Sequence, residues 1–402
     1  MSKSFRVAGL LSLTSIRRGN PGVILLTILI LTLVSLNLLF IPGFLQGLVS
    51  GANTQLRNTY SGDIVVESNT ANPLIGNIED TMRKIDAIEG VVAATPRNSL
   101  GAEFIYGNER TNAMVYGIQP ETENNVFTIH KSMVEGSFLS PDDTDEIVLG
   151  IQLAGADKPN LELYARSLLT VHAGDEVTLI YSNGVQKQYK VKGIFYTQFL
   201  QTDAEAFVTQ TEMQSVNPAT TNSADTIYVK VKNDTDIPGI MEKVNNIEGG
   251  LKVLNWKDYA GIVRSLTDSF NIINVIMNVV NLLIAGITVF IVTYIDVANR
   301  RRQIGVQRAI GITPWSITLS YLMRAIFYAV TAIVLAILLY IFVVCPIEAR
   351  YPFYFPFGAV YFVIRASNIF LMTAIVLSVS LAASFLPVRG MMRMKIMDAI
   401  WG

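Results

Sequence analysis

Cysteine is nearly absent. Cys345 stands alone among 402 residues, so no disulfide can form within the chain and no paired-cysteine metal site exists. Histidine is as scarce, with only His130 and His172, too few to build the usual zinc ligand set. Charge is also thin: 16% of residues are charged, against about 25% in an ordinary soluble chain. The 31 basic and 32 acidic residues leave a formal net charge of -1, which argues against nucleic acid as a main partner. No Walker A sequence occurs, so the chain itself has no P-loop for ATP. Neither an internal repeat nor a low-complexity tail is visible.

What the chain has instead is apolar sequence, 51% by residue count. Four runs reach the roughly 20 residues that cross a bilayer as helix. They are residues 21–44, a stretch from about Phe270 to Ile295, residues 317–345 and residues 368–388. The first is too long for a signal-peptide core and no small-residue cleavage site follows it closely, so it reads as a retained anchor. Lys3, Arg6, Arg17 and Arg18 precede it, Arg300, Arg301, Arg302 and Arg308 separate the second and third runs, and Arg389, Arg393 and Lys395 follow the fourth. Basic short loops face the cytoplasm. Both termini (residues 1–20 and 389–402) and the loop 299–316 are therefore expected on the cytoplasmic side of a cell membrane, with 45–264 and the loop 346–367 on the outer side.

Residues 45–264 carry strand and turn signals. "GDIVVES" from Gly62 alternates like a strand, and "GDEVTLIYSNGVQKQYKVKGIF" from Gly174 reads as a hairpin turning at Ser182-Asn183-Gly184. "DTIYVKVKN" from Asp225 is a further strand. "NIEDTMRKIDAIEG" from Asn77 and "DIPGIMEKVNNIEGG" from Asp236 read as helices ending on glycine. The expected fold is an α-helical membrane protein with four transmembrane helices and a large α+β extracytoplasmic domain inserted between the first and second. Residues 265–298 are expected to form a stalk running straight into the second span, and residues 45–55 a second stalk.

The loop "DVANRRRQIGVQRAIGITP" is the most informative stretch, with four arginines in the nine residues from Arg300 to Arg308. As a helix at 100° per residue, Val306, Ala309 and Ile310 share one face. Arg301 and Arg308 lie roughly opposite, with Gly305 between them and Ile304 alongside. A notch without side chains between two guanidinium forks suits docking against another protein's carboxylates or carbonyls. Thr313 is placed to cap the next helix, with Pro314 at its first position. Simple positive-inside anchoring, with the arginines on lipid headgroups, accounts for the same charges.

Elsewhere, Asn274, Asn278 and Asn281 recur on one face of the second span, as amides do at helix interfaces in membranes. The aromatic "YPFYFPFGAVYF" from Tyr351 fits an interfacial belt. "PDDTDEIVLG" from Pro141 lacks the acid spacing of a calcium loop and reads as a solvated turn. His172 reads as a surface histidine. Ionisable groups are scarce in the spans, with Asp296 and Arg324 near the inner ends, which argues against proton coupling.

"RRRQIGVQRAIGITPWSITLSYLMRAIF" resembles the cytoplasmic loop of FtsX-type permeases, the MacB/LolC/LolE superfamily of ABC transporter membrane subunits. Ile304-Gly305, Arg308-Ala309 and Gly311 fit that pattern, whereas Arg324 stands where an acidic residue is common. "NAMVYGIQPETENNVFTIHKSMVEGSFL" from Asn112, "DEIVLGIQLA" from Asp145 and the closing "LPVRGMMRMKIMDAIWG" are similar in the same order, so the likeness covers about the whole chain, with lengths nearest to LolC/LolE-type subunits. The resemblance implies a non-catalytic subunit with no cofactor of its own, ATP and Mg being held by a partner ABC ATPase. It implies an ATPase-coupling loop of Arg300, Arg301, Arg302, Gln303, Ile304, Gly305, Arg308, Ala309 and Gly311, with Arg389, Arg393 and Asp398 as a C-terminal cytoplasmic contact. It implies pairing with a second permease, as homodimer or heterodimer, membrane lipid around it, and a periplasmic carrier, adaptor or lipoprotein as further partner. Two functions stay open: ATP-driven motion of the outer domain for lipoprotein release or efflux, or an FtsX-like regulator that switches a wall hydrolase or sensor and moves no substrate.

Overall fold

The computed structural model describes residues 2–17, 19–69, 74–155, 170–247, 251–259, 261–355 and 358–393. The chain opens with helices α1 (Ser2–Arg17) and α2 (Pro21–Gln55). Strands β1 (Ile64–Ser68), β2 (Ile75–Gly76), β3 (Val91–Tyr106), β4 (Glu109–Ile118), β5 (Met133–Gly136), β6 (Glu146–Gly150), β7 (Glu176–Tyr181), β8 (Gln186–Phe195), β9 (Ala206–Thr209), β10 (Ser223–Ala224), β11 (Thr226–Val231) and β12 (Leu251–Asn255) follow. Among them lie α3 (Ile78–Asp86), α4 (Pro120–Val126), α5 (Ile151–Ala154), α6 (Gln210–Val216), α7 (Ile237–Asn245) and α8 (Trp256–Tyr259). The chain continues through α9 (Gly261–Asn299), α10 (Arg301–Ala309), α11 (Pro314–Leu339), α12 (Cys345–Arg350) and α13 (Ala366–Met392). Two compact units result: Met1–Leu48 with Asp268–Phe353 and Val360–Gly402, and Val49–Thr267 with Tyr354–Ala359.

In the second unit β3 belongs to two structures. Its first half pairs with β11 in an open sheet ordered β12-β1-β11-β3. Its second half closes a six-stranded ring, β3-β4-β9-β6-β8-β7 and back to β3. The ring encloses Phe104, Val115, Leu149, Leu179, Val191 and Val208. The open sheet packs Ile64, Ile227 and Val229 against Ile85, Ile240 and Val244 of α3 and α7. Between these cores, a third cluster holds Phe127, Phe207 and Tyr228. The expected hairpin is present as β7 and β8, with Gly184 at φ +86° and its amide donating to Tyr181 O at 2.8 Å. Both expected helices stop earlier than the glycines that were to end them. The first ends at Asp86 and turns through Gly90 (φ +98°), whose left-handed backbone suits only glycine without strain. The second ends at Asn245.

Among the described residues of the first unit, four helices are long and apolar enough to cross a membrane, beginning at Pro21, Ile272, Pro314 and Ala366. Hydroxyls in the first, such as Thr27 and Thr32, donate to carbonyls one turn back at 2.7 Å, which satisfies them without a polar neighbour. The helical extents exceed the apolar runs. α2 continues to Gln55 through Pro42 and passes into a π-helical turn, Leu56–Ser61. α11 starts three residues before the apolar run and is prolonged by a π-helical turn, Tyr340–Val344, and α12. The leading residues, read from sequence only as a cytoplasmic segment, form α1. It packs on α11 through buried Ala8 and Ser12 and leaves Phe5, Leu10 and Leu13 exposed. Leu31, Leu39, Val289, Ala332 and Val376 form the core of the bundle.

Candidate functional site

The arginine loop folds as the short helix α10 between α9 and α11. Ile304 N donates to Arg300 O at 2.9 Å, and Gly311, at φ +95°, ends the helix with its amide on Arg308 O. Thr313 then caps α11, accepting from Ser316 N at 3.4 Å, and Pro314 occupies the first turn. One side of α10 is keyed into the bundle: Ile304 is 3% exposed among Val297, Ile317, Tyr321 and Val388. Burying such a side chain contributes about 1.5–3 kcal/mol.

Gly305 is buried beside Ile304. The proposed open notch between Arg301 and Arg308 is therefore not on the surface of this chain. The bundle takes the Ile304 side of the helix, and Gly305 goes in with it. Arg301 and Arg308 are half-buried. The exposed side is Arg302, Gln303, Val306, Ala309 and Ile310, with Gly311 beyond it. Val306 is 47% and Ile310 73% exposed, and Trp315 stands exposed just past the turn.

Arg300 is held differently from its neighbours. Its Nε donates to Asp296 Oδ1 at 2.8 Å, one turn back in α9. The other oxygen of Asp296 accepts from Arg324 Nη1 at 2.5 Å, and the same nitrogen donates to Ser15 Oγ of α1 at 2.8 Å. Arg324, the residue that departs from the family pattern, thus ties α1, α9 and α11 together, with its guanidinium carbon 3.8 Å from the centre of the Tyr321 ring. Sequence reading placed Asp296 and Arg324 near the same membrane edge but had no signal that they pair. At the end of α13, Arg389 and Arg393 are exposed, Arg389 lying 5.8 Å from the Phe385 ring. Val388 shares the small core of Ile304, so the ends of α10 and α13 converge. Asp398 lies outside the described residues.

The asparagine stripe divides. Asn281 is buried and donates to Asn37 Oδ1 of α2 at 2.9 Å, an amide bond between two spans. Asn278 instead bonds Asn274 at 3.2 Å along the same helix, both half-exposed. Around them Ile276, Val280, Leu283 and Ile287 are exposed. The aromatic loop meets α2: Phe353 and Phe362 pack on Phe44 at 5.7 and 5.5 Å between ring centres. His172 is a surface side chain near Glu135 at 3.2 Å. Asp143, in the turn after Pro141, accepts from Ser140 N at 2.6 Å and pairs with Lys192; burial opposes its ionisation, but these partners together hold its carboxyl below the usual range.

Sequence reading missed a deeply buried ion pair in the inserted domain. Arg97 of β3, 2% exposed, pairs with Glu123 of α4 through Nη2–Oε1 (2.5 Å) and Nε–Oε2 (3.3 Å). Its guanidinium carbon sits 4.1 Å from the Phe127 ring centre, 5.0 Å from Tyr228 and 5.2 Å from Phe207. Nearby Glu205 is buried, and that burial pushes its carboxyl up to about 8 even though Arg97 pulls the other way. Burial likewise lifts Asp203 to about 7, against hydrogen bonds from Thr197. A lone arginine in "VVAATPRNSLGAEF" offers no pattern from which this cage could be read.

Two family models match this chain. The MacB-like periplasmic core domain matches residues 24–247, more than half of the chain, and the FtsX-like permease C-terminal region matches 275–396. The chain belongs to the MacB/FtsX family of permeases. Among its relatives, a putative hemin transport system permease protein HrtB of Staphylococcus haemolyticus is 22% identical over 385 residues, covering 94% of this chain and 95% of that protein. An uncharacterized ABC transporter permease of Mycobacterium tuberculosis is 25% identical over 326 residues, 77% of this chain and 80% of that one. The solved periplasmic region of MacB from Actinobacillus actinomycetemcomitans is 13% identical and covers 52% of this chain and 95% of that one, with a TM-score of 0.35. This MacB/FtsX-type permease is thus a membrane protein with its MacB-like domain between the first and second apolar helices. Its homologues are permease subunits of ABC transporters, which implies an ATPase partner.

Proposed function

We propose that this permease transmits mechanical work. A separate ATPase subunit closes on ATP, pushes α10, and the motion reaches the MacB-like domain through α9, for lipoprotein release or for efflux. Both termini and α10 lie in the cytoplasm in this reading, and two permeases pair through spans that include the exposed face of α9. The observation that carries the reading is the two-sidedness of α10. Ile304 anchors it in the bundle while Val306, Ile310 and nearby Trp315 stay uncovered. Apolar side chains exposed beside arginines on a short anchored helix suit a protein partner better than headgroups alone. Arg389 and Arg393 would border the same contact.

The experiment is co-purification of the tagged chain from its own membranes. Val306→Glu with Ile310→Glu should lose the ATPase while membrane insertion and yield stay normal, because neither side chain supports the core. Undiminished ATPase recovery with this double variant would remove the coupling role of α10. A wall hydrolase or sensor retained with the wild-type chain, in place of a carrier or adaptor, would favour switching over transport.

A further inference from the structure

Asp296 is a single carboxylate between two guanidiniums, Arg300 at 2.8 Å and Arg324 at 2.5 Å. Among the described residues that line this place, one positive charge is left over. The Arg324 side chain is only 7% exposed, and its Nε has no hydrogen-bond partner among the described residues. Both arginines line a cavity of about 150 Å³ between α1, α2, α9 and α11. That is about ten times the space one water requires. Asn20 and Asn299 join the arginines at the polar end, whereas Val23 and Ile295 line the cavity and remain 42% and 50% exposed on helices that are apolar enough to cross a membrane. The cavity therefore grades from cationic to apolar and meets the lipid-facing surface. α1 reinforces this placement: its Phe5, Leu10 and Leu13 are exposed while Ser15 reaches Arg324. A helix with such an uncovered apolar side lies at the headgroup boundary.

We propose that this cavity binds the phosphate headgroup of an anionic phospholipid, with the acyl chain leaving past Val23 and Ile295. A phosphodiester offers acceptors for Arg300 and Arg324 and neutralises the surplus charge. The apolar mouth distinguishes a lipid from a free anion. Because Arg300 is the residue from which α10 begins, an occupied site would also brace the junction of α9 and α10.

The test uses the full chain, purified in mild detergent and examined by native mass spectrometry with added phosphatidylglycerol, phosphatidylcholine or inorganic phosphate. One phosphatidylglycerol should be retained per chain, about tenfold more tightly than phosphatidylcholine, the effect of one charge-assisted contact. Arg300→Gln, at a partly exposed position, should weaken retention about tenfold. Ala325→Leu, which fills the cavity wall without changing charge, should do the same. Equal retention of both lipids, or unchanged phosphatidylglycerol binding in both variants, would overturn the proposal. So would binding of inorganic phosphate without any lipid preference.

Discussion

The Arg97 cage allows one prediction to be worked through. At pH 6 Glu205 is mostly protonated, since its carboxyl titrates at about 8, and Glu123 alone pairs with Arg97. Glu205→Gln should then cost little, under about 1 kcal/mol, because one neutral group replaces another. Removing the partner of a buried charge ordinarily costs about 3–5 kcal/mol. Glu123→Gln should cost less than that, because Glu123 is one of the groups holding Glu205 protonated, and its loss lets Glu205 ionise toward Arg97. The double variant has no carboxylate left and should show the full cost, exceeding the sum of the single losses by about 1–2 kcal/mol. Urea denaturation of the isolated domain 46–264 measures this cycle. The pH dependence supplies a second reading. A carboxyl raised from its ordinary 4.5 to about 8 stabilises the fold fully below 4.5, and that stability is lost as pH rises toward 8. The slope from one such proton is about 1.4 kcal/mol per pH unit. Asp203, raised to about 7, acts in the same direction, so Glu205→Gln should remove part of the slope between pH 5 and 8 but not all. Strict additivity of the two variants, together with an unchanged slope in Glu205→Gln, would refute the reasoning.

Other expectations are simpler to test. The domain 46–264 should express alone as a soluble monomer, and persistent insolubility under varied conditions would count against its independence. Asn37→Leu or Asn281→Leu alone should destabilise the bundle by about 0.6–2 kcal/mol in detergent unfolding, while the double change should recover most of the loss, since no amide then lacks its partner. Gly150→Ala should cost about 1–3 kcal/mol in the domain, because a Cβ there would lie 2.2 Å from the backbone oxygen of Asp203; a neutral melting temperature would show that this close approach can relax.

The spans were legible because bilayer crossing is a matter of length and composition, and the loop arginines marked their ends. The hairpin at Asn183-Gly184 was legible because its turn chemistry is local. The ring closed by β3, β7 and β8 was not, since it depends on pairing Ala102 with Tyr181, which no local signal encodes. α10 shows the same divide at the candidate site. Periodicity assigns residues to faces, but Ile304 and Val306 are both β-branched and apolar, and only the packed bundle decides that the first goes in and the second stays out. The Ser15–Arg324–Asp296 contacts join residues as far as 309 positions apart, and α1 was missed because its mixed sequence leaves an apolar side uncovered.

The double membership of β3 has a consequence for the order of synthesis. Every strand of the closed ring lies between Val91 and Thr209, so the ring can be complete once β9 has emerged. The open sheet cannot: β1 waits for β11 and β12, with Ile64 pairing both Val229 and Asn255. Domains emerging from the ribosome fold as their pieces become available, and distant pairings form slowly. The lobe that carries both ends of the inserted domain should therefore close last, on a template already rigid, and a fragment of the domain ending before Thr226 should show a protected ring beside an unprotected β1.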